Sequence, residues 1–387
     1  MEYTRRTAQT SLFDDTPEAI YHDDPVPVTR NPGPHPTPAA SPPTAPFVFK
    51  FLISYHYFQK INLDDLVARL DVPVQVFADC GGFSAKTQGV TIDIDEFIAW
   101  CHKWSHHLTS IANLDVIGDA AATALNQPIM EAGGVDALPV FHVWEDPRYL
   151  EAYCEQYPYV CLGGMVGYTS DVRKWMDDCF VIGAKYDTVF HGFGQTSPDY
   201  LMEFPFYSAD STAWSKGYRF GVMDLWDAEH NRFVDCQLFS SDVPKYADLI
   251  RDHGIDPIRF TTKPDPEHPT EYDYHSRYAL GVAVVAWTRF ANYLKATKDP
   301  VHLREPHLYL AAKEPDVKKA AAMIPQVGPH LYLAGLDTDP RRTSEAITEV
   351  IRPTLAVPGP HLYLVDAAPS NLVEATTHAR NYLKDGQ

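Results

Sequence analysis

Side chains capable of acid–base or nucleophilic chemistry recur at the ends of short apolar runs in this sequence. Asp79, Asp115, His142, His191 and Asp210 each lie at or near the end of a different run. Paired carboxylates suit reactions at an acetal-like carbon, where one attacks the carbon or shields its positive charge and another moves protons. A single acid at a strand end is commonly a helix cap, but several like charges buried together are costly unless function uses them. These residues therefore predict chemistry on a glycosidic bond.

An aromatic residue and two glycine pairs accompany these polar residues. Phe83, in the segment DCGGFSAKTQG, offers a flat ring against a base or a sugar. Gly81-Gly82 and Gly163-Gly164 let backbone N–H groups approach a ligand closely, although glycine pairs also form plain turns. These residues are candidates for substrate binding.

Two other interpretations stay open on the residues alone. His142, His191 and Asp210 are of the types that bind the metal of a metal-dependent barrel hydrolase. The HxH pair usual on the first strand of such enzymes is absent from the run at 47–54. A catalytically inactive barrel kept as a binding module is the remaining alternative.

The elements that would position these residues alternate between β-rich runs and helix-compatible segments. The runs are 47–54, 74–79, 109–115, 137–143, 159–164, 188–194 and 206–211. Their repeated spacing is typical of βα units. No GxGxxG follows the first run and polar residues accumulate at almost every run end, which favours a TIM-type (β/α) barrel over an open, doubly wound sheet.

Two intervening segments predict helices. The segment 93–108 carries its apolar side chains at helical spacing. They are Phe97, Trp100, Cys101, Trp104 and Leu108. The segment 274–296 predicts a long helix that is apolar enough to be buried against the barrel.

The chain divides into three parts. Nine of the 32 prolines lie between Pro25 and Pro46, so residues 1–46 predict an extended, proline-rich arm. Residues 47–300 predict the barrel. Residues 301–387 predict a small α/β extension built on PHLYL, which occurs at 306–310, 329–333 and 360–364. We expect the extension to be a structural appendage or the surface of a homodimer, and not a second active site.

Composition excludes several classes of protein. No apolar run is long enough to span a bilayer, and the first 15 residues lack the apolar core of a secretory signal, so we expect a cytoplasmic protein. Six cysteines without a CxxC pair are expected to be reduced and mostly buried. Lys plus Arg number 32 against 51 for Asp plus Glu, a net charge of −19, so contact with nucleic acid requires a local basic patch.

The motifs of this chain resemble those of the tRNA-guanine transglycosylases. FADCGGFSAKTQG (77–89) resembles their DSGGF motif, ANLD (112–115) their base-recognition segment, CLGGMVG (161–167) their LGGLAVGE and HGFGQTSPDYL (191–201) their MGVGTPENL. SADSTAW (208–214) falls where that family carries its nucleophilic aspartate. Order and spacing agree across roughly residues 47–300. Cys80 replaces the serine of DSGG, and His142 replaces a glutamine.

Within that superfamily, the chain resembles the phage and bacterial branch that inserts 7-deazaguanine bases into DNA. LISYHYF (52–58), ANLDVIGD (112–119), LPVFHV (138–143) and LGGMV (162–166) look like that branch. The tRNA enzymes carry a CxCxxC motif with a downstream histidine as a structural zinc site, whereas the interval between Asp210 and Tyr274 contains Cys236 as its one cysteine. We therefore expect no metal and no other cofactor, and DNA as the partner, with tRNA as the alternative.

The resemblance implies a role for each candidate residue. Asp210 would attack C1′ of deoxyguanosine and Asp79 would manage the proton of the departing and arriving bases. Asp115 would accept hydrogen bonds from a guanine-like edge. The remaining substrate-binding candidates are Phe83 and His191 on the two faces of the base, His142 at the same edge as Asp115, and the N–H groups of Gly163 and Gly164. Lys216 and Arg219 would meet phosphates. The incoming base would be a 7-deazaguanine such as 7-cyano-7-deazaguanine.

Overall fold

A computed structural model describes residues 48–165, 172–195, 197–212, 214, 220–263, 269–299, 301, 361–365 and 369–385. The arm predicted at 1–46 lies outside these residues, as do Lys216, Arg219 and the first two PHLYL repeats. Among the described helices, none combines the length and apolar character needed to cross a bilayer.

The fold is a TIM-type barrel of parallel strands surrounded by helices. In chain order the strands are β1 (Phe49–Ser54), β2 (Val74–Asp79), β3 (Leu108–Ala112), β4 (Ala137–Leu138), β5 (Val140–His142), β6 (Tyr159–Gly163), β7 (Val189–Gly192), β8 (Ser208–Ser211), β9 (Val222–Asp227), β10 (Arg232–Gln237) and β11 (His361–Val365). Strands β9 and β10 form a separate antiparallel hairpin, and the others pair in the order β4-β3-β2-β1-β11-β8-β7-β6-β5. The two ends of that order, β4 and β5, are separated by Pro139 alone, so the sheet curls into a barrel. The open, doubly wound sheet is thereby excluded.

Side chains alternate between the two faces of the barrel wall, as the pleat of a strand requires. On β1, Phe51 and Ile53 pack outward against the helices while Leu52 faces the barrel interior. The interior is filled by buried side chains from successive strands. They include Leu52, Phe77, Ala112, Val140, Tyr159, Cys161, Val189 and Tyr363. The barrel is therefore a packed core, and chemistry is confined to its rim.

The helices of the described residues are α1 (Tyr55–Phe58), α2 (Leu63–Leu70), α3 (Gly82–Gln88), α4 (Ile94–Trp104), α5 (Ala120–Ala132), α6 (Pro147–Gln156), α7 (Val172–Lys185), α8 (Pro198–Glu203), α9 (Asp242–Lys245), α10 (Ala247–Asp252), α11 (Pro269–Thr297) and α12 (Pro369–Asp385), with a 3₁₀ turn at Pro257–Phe260. Helices surround the barrel, whereas α9 and α10 pack on the β9–β10 hairpin. The long helix predicted at 274–296 is confirmed as α11, whose Leu280, Trp287 and Phe290 are buried in the main core.

The stripe predicted on segment 93–108 is confirmed for four of its five residues. Phe97, Trp100, Cys101 and Trp104 are buried on α4. Leu108 was wrongly placed on the helix, because the chain turns after Trp104 and Leu108 begins β3. An apolar residue at the right spacing does not mark where a helix ends; the break in backbone hydrogen bonding does.

The C-terminal part of the chain contributes to the barrel, which differs from the boundary predicted at residue 300. Strand β11, from the third PHLYL repeat, lies between β1 and β8, with Phe51 opposite Leu364 and Tyr363 opposite Asp210. Helix α12 then packs on α11 so closely that a Cβ at Gly281 would lie 2.3 Å from His378 Cβ. The runs before residue 214 supply the eight strands β1–β8 of the wall, and β11, from further along the chain, completes it.

Candidate active site

Three carboxylates converge at the carboxyl ends of the barrel strands. Asp79 is the last residue of β2, Asp115 follows β3, and Asp210 lies on β8. Burial inside the barrel raises the pKa of the Cys161 thiol well above its usual value, and the charges of Asp79, Asp115 and Asp210 raise it further. The three carboxylates thus share one region at the top of the barrel interior.

Asp79 has a carboxyl group with a raised pKa. Its Oδ2 accepts hydrogen bonds from the Ser54 hydroxyl (3.2 Å) and the Gly81 N–H (3.0 Å). These bonds favour the charged form, but burial, followed by the charges of Asp115 and Asp210, raises the pKa of Asp79 to about 7. A carboxyl that is partly protonated at neutral pH can both give and accept a proton, as general acid–base catalysis requires.

Asp115 is held in place by two donors from neighbouring strands. The Cys80 thiol donates to Oδ1 (2.9 Å), and Nε2 of His142 donates to Oδ2 (2.7 Å). A Cβ added at Gly82 would lie 2.9 Å from Asp115 Oδ1, so this position of the DCGG segment must be glycine for the backbone to pass the carboxylate. Two donors leave the remaining lone pairs of the carboxylate for a ligand.

His142 is clamped between two acids. Glu145 accepts from its Nδ1 through Oε1 (3.0 Å) and from its backbone N–H through Oε2 (2.9 Å), while Asp115 accepts from Nε2. Burial lowers the pKa of His142, but the hydrogen bonds and charges of Asp115 and Glu145 outweigh it and raise the pKa to about 9. The imidazole is therefore a cation at neutral pH.

This geometry gives His142 a role that the sequence did not predict. Both ring nitrogens are engaged by carboxylates, so the ring orients Asp115, and its contact with a base edge stays a prediction. Sequence reasoning missed Glu145; an acid three residues beyond a strand-end histidine, in HVWED, is the signal that could have found it.

Gly163 and Gly164 lie beside the His142 ring. A Cβ at Gly163 would approach His142 Cδ2 to 2.9 Å, and Gly164 has a φ of 76°, where L side chains are strained. The glycine pair therefore makes room for the clamped imidazole. Their role as N–H donors to a base stays a prediction.

His191 is hydrogen-bonded to Asp210 and does not line the open part of the site. Its ring is fully buried and stacks on Phe77 at 4.3 Å between centroids. Nδ1 pairs with Ser208 Oγ (2.5 Å) and Nε2 with Asp210 Oδ1 (3.2 Å). The sequence predicted that His191 lines one face of a base; because Phe77 covers the ring and both nitrogens are engaged, the structure instead makes it a partner of Asp210.

Two aromatic side chains project at the rim. Phe83, on the first turn of α3, is 64% exposed. Trp144, between His142 and Glu145, is 55% exposed and has a φ of 68°, a region that large L-residues rarely adopt. Phe83 was predicted for stacking. Trp144 was missed, because no sequence pattern indicates that a tryptophan will have a positive φ.

The described residues do not assemble the metal sites considered above. His142 and His191 are paired with different carboxylates, so the hydrolase ligand set of His142, His191 and Asp210 is not brought together. His253, in the interval where the tRNA enzymes hold zinc, uses Nδ1 on the Leu249 carbonyl and Nε2 on the Trp226 N–H.

Two other groups have ligand atoms within 4.8 Å of one another. They are Asp79 with Cys80 and Asp115, and Asp64 with His106 and His107. In the first, burial and the two neighbouring carboxylates raise the pKa of the Cys80 thiol well above its usual value. That opposes the thiolate that a metal would need.

Comparison of the chain with protein-family models found no match, and comparison with curated proteins found none.

Proposed function

We propose that this protein is a base-exchange transglycosylase that replaces guanine in DNA with a 7-deazaguanine base through a covalent aspartyl intermediate at Asp210. The observation that carries the proposal is the contrast between two carboxyls at one rim. Asp210 accepts N–H donors on one oxygen, and Asp79 has its pKa raised to about 7. One carboxyl held by N–H donors beside another that exchanges protons is the arrangement of retaining glycosyl transfer.

The first half of the reaction removes guanine. An oxygen of Asp210 forms a bond to C1′ as the C1′–N9 bond breaks, and the bonding electrons leave with the base. Asp79, partly protonated at neutral pH, supplies the proton that the departing base needs. The sugar is then held on Asp210 as an ester.

The second half installs the new base. The Asp79 carboxylate takes a proton from the incoming deazaguanine, whose N9 attacks C1′ and displaces Asp210. Two inversions return the original configuration. One glycosidic bond replaces another, so no nucleotide fuel or redox cofactor is required.

Asp115 recognises the base. Cys80 and the His142 cation fix its two oxygens and keep its remaining lone pairs directed at a ligand. Ring and amino N–H groups of a guanine-like edge match an acceptor of this kind. Phe83 and Trp144, exposed at the same rim, suit stacking on nucleobases, including one taken out of a duplex.

DNA is favoured over tRNA by the resemblance of LISYHYF, ANLDVIGD, LPVFHV and LGGMV to the DNA-modifying branch. The interval that holds zinc in the tRNA enzymes is occupied by the β9–β10 hairpin and helices α9 and α10, with Cys236 packed among apolar side chains. Both features support DNA over tRNA as the proposed substrate.

The test is nucleoside mass spectrometry on DNA and tRNA incubated with the purified protein and 7-cyano-7-deazaguanine. We expect the deaza nucleoside in DNA, its absence with Asp210→Asn, and normal yield with Asp177→Asn, a control on the exposed face of α7. Modified nucleoside in tRNA alone would contradict the DNA assignment. Loss of activity on chelation, with no base exchange, would favour a metal-dependent hydrolase.

A further inference from the structure

The two oxygens of Asp210 are held unequally. Oδ1 accepts the Gly194 N–H at 2.9 Å and His191 Nε2 at 3.2 Å. Within the described part of the chain, no hydrogen bond is made to Oδ2. Gly194 has a φ of 61°, the left-handed region that favours glycine. Backbone and side chain thus converge on one oxygen and leave the other for a ligand.

A chain of hydrogen bonds inside the barrel ends on Oδ1 of Asp210. The Tyr159 hydroxyl pairs with Ser208 Oγ, and Ser208 Oγ pairs with His191 Nδ1 at 2.5 Å. With Asp210 ionised and the His191 ring neutral, Nε2 of His191 donates to Asp210 and Nδ1 accepts from Ser208. The Ser208 oxygen then accepts from Tyr159. Every donor in the chain points toward Asp210, an arrangement in which successive bonds strengthen one another.

Packing fixes this chain in one arrangement. His191 and Ser208 are completely buried, and the His191 ring is stacked on Phe77 and meets Phe193 edge-on at 4.7 Å. Rotation of the ring would break both of its hydrogen bonds inside a packed interior. The direction of the Nε2–H bond is therefore set before any substrate arrives.

We propose that His191 is a positioning residue which, together with the Gly194 N–H, holds Oδ1 of Asp210 so that Oδ2 is the atom that attacks C1′; this inference rests on the proposed base exchange. When the ester forms, Oδ1 becomes its carbonyl oxygen. When the second base attacks, the C1′–Oδ2 bond breaks and its electron pair returns to the carboxylate. The same two donors then stabilise the charge that reappears, so His191 serves both half-reactions.

The test measures the rate of covalent adduct formation in a single turnover, with DNA in excess, for two substitutions at His191. His191→Leu keeps an apolar group against Phe77 and removes the donor, whereas His191→Gln places an amide N–H near the former Nε2. We expect His191→Leu to slow adduct formation about 100-fold, the usual effect of losing one preorganised donor, with DNA affinity within about 2-fold of wild type. His191→Gln should recover most of the rate.

Ser208→Ala and Thr188→Val distinguish positioning from simple destabilisation. Thr188 is a buried residue beside β7 whose hydroxyl bonds to the Cys154 and Tyr157 carbonyls and takes no part in the chain to Asp210. Ser208→Ala should slow adduct formation about 10-fold, because the tautomer of His191 is no longer imposed. Thr188→Val should leave the rate unchanged. The acid limb of the pH–rate profile should move to higher pH in His191→Leu and not in His191→Gln.

Equal rates for His191→Leu and wild type would overturn the inference, as would equal losses in the Leu and Gln variants with no movement of the acid limb. Either outcome would still be compatible with base exchange at Asp210. If wild-type protein forms no adduct with DNA or tRNA, the proposed function fails and the role of His191 fails with it.

Discussion

Protonation of Asp79 should make the free energy of unfolding of the protein depend on pH. Its pKa is raised to about 7 in the fold, against about 4 in an unfolded chain, so the folded state binds the proton more tightly. The contribution to stability is therefore complete below about pH 4 and is lost as the pH rises through 7.

Asp79→Asn should remove this dependence. Between pH 5 and pH 8 we expect the free energy of unfolding of wild type to fall relative to that of Asp79→Asn by roughly 2 kcal/mol. Urea denaturation at the two pH values measures it, with Asp177→Asn as the control that follows wild type. Parallel behaviour of wild type and Asp79→Asn would show that Asp79 is already ionised at pH 5.

Glu145 should maintain the charge of His142. Glu145→Gln keeps the shape of the side chain but removes one of the two carboxylates that hold the imidazolium. We expect the pKa of His142 to fall from about 9 by about 1 or more, measured by NMR titration of the ring. Glu151→Gln, on the exposed surface of α6, is the control. An unchanged titration would mean that Asp115 alone holds the charge.

The sequence predicted which residue types lie at the rim but not how they pair. Asp79, Asp115 and Asp210 could be found because each ends an apolar run, and strand ends of a barrel meet at one face. The clamping of His142 by Glu145 and the burial of His191 could not, since both depend on side-chain directions set by neighbouring strands. A histidine at a strand end can face a ligand or support a carboxylate, and spacing does not distinguish the two.

At the scale of elements, β11 is the strand on which the barrel wall depends. It pairs with β1 on one side and β8 on the other, and β8 carries Asp210. Without it, two strands would expose unpaired N–H and C=O groups along adjacent edges.

A chain ending at Val301 should therefore fail to form a stable monomer. We expect it to aggregate or to lose its cooperative thermal transition, as followed by size-exclusion chromatography and circular dichroism. A well-folded monomer ending at Val301 would contradict the pairing of β11.

Removal of residues 1–46, by contrast, should leave the melting temperature nearly unchanged, because a proline-rich arm buries little apolar surface.

The eight earlier strands of the wall, β1–β8, were predictable from the seven apolar runs to within a few residues, and β11 was not. Its PHLYL sequence is shared by three segments, so local sequence does not distinguish the one that forms β11. That strand is followed by α12, which packs on α11 where Gly281 permits the close approach of His378. Long-range contacts of this kind have no signature in a single sequence.

For the whole molecule, the net charge of −19 bears on the proposed action on DNA. Binding of DNA would require a local concentration of positive charge, for which the sequence predicts Lys216 and Arg219 as phosphate contacts. Replacing both with alanine should reduce the slope of log affinity against log salt by about 2, measured by fluorescence anisotropy on DNA. The pair Lys245 and Arg251, on α9 and α10, is the control, and an unchanged slope for Lys216 and Arg219 would move the phosphate contacts elsewhere.

The central claim is that Asp210 carries the sugar during exchange, and the most direct measurement is mass spectrometry of the trapped protein. Wild-type protein incubated with guanine-containing DNA and the deaza base is denatured, treated with nuclease and protease, and its peptides are mapped. We predict a deoxyribosyl adduct on the peptide that contains SADSTAW, located at Asp210 and lost in Asp210→Asn. An adduct on a different residue, or base exchange at the full rate in Asp210→Asn, would contradict the account.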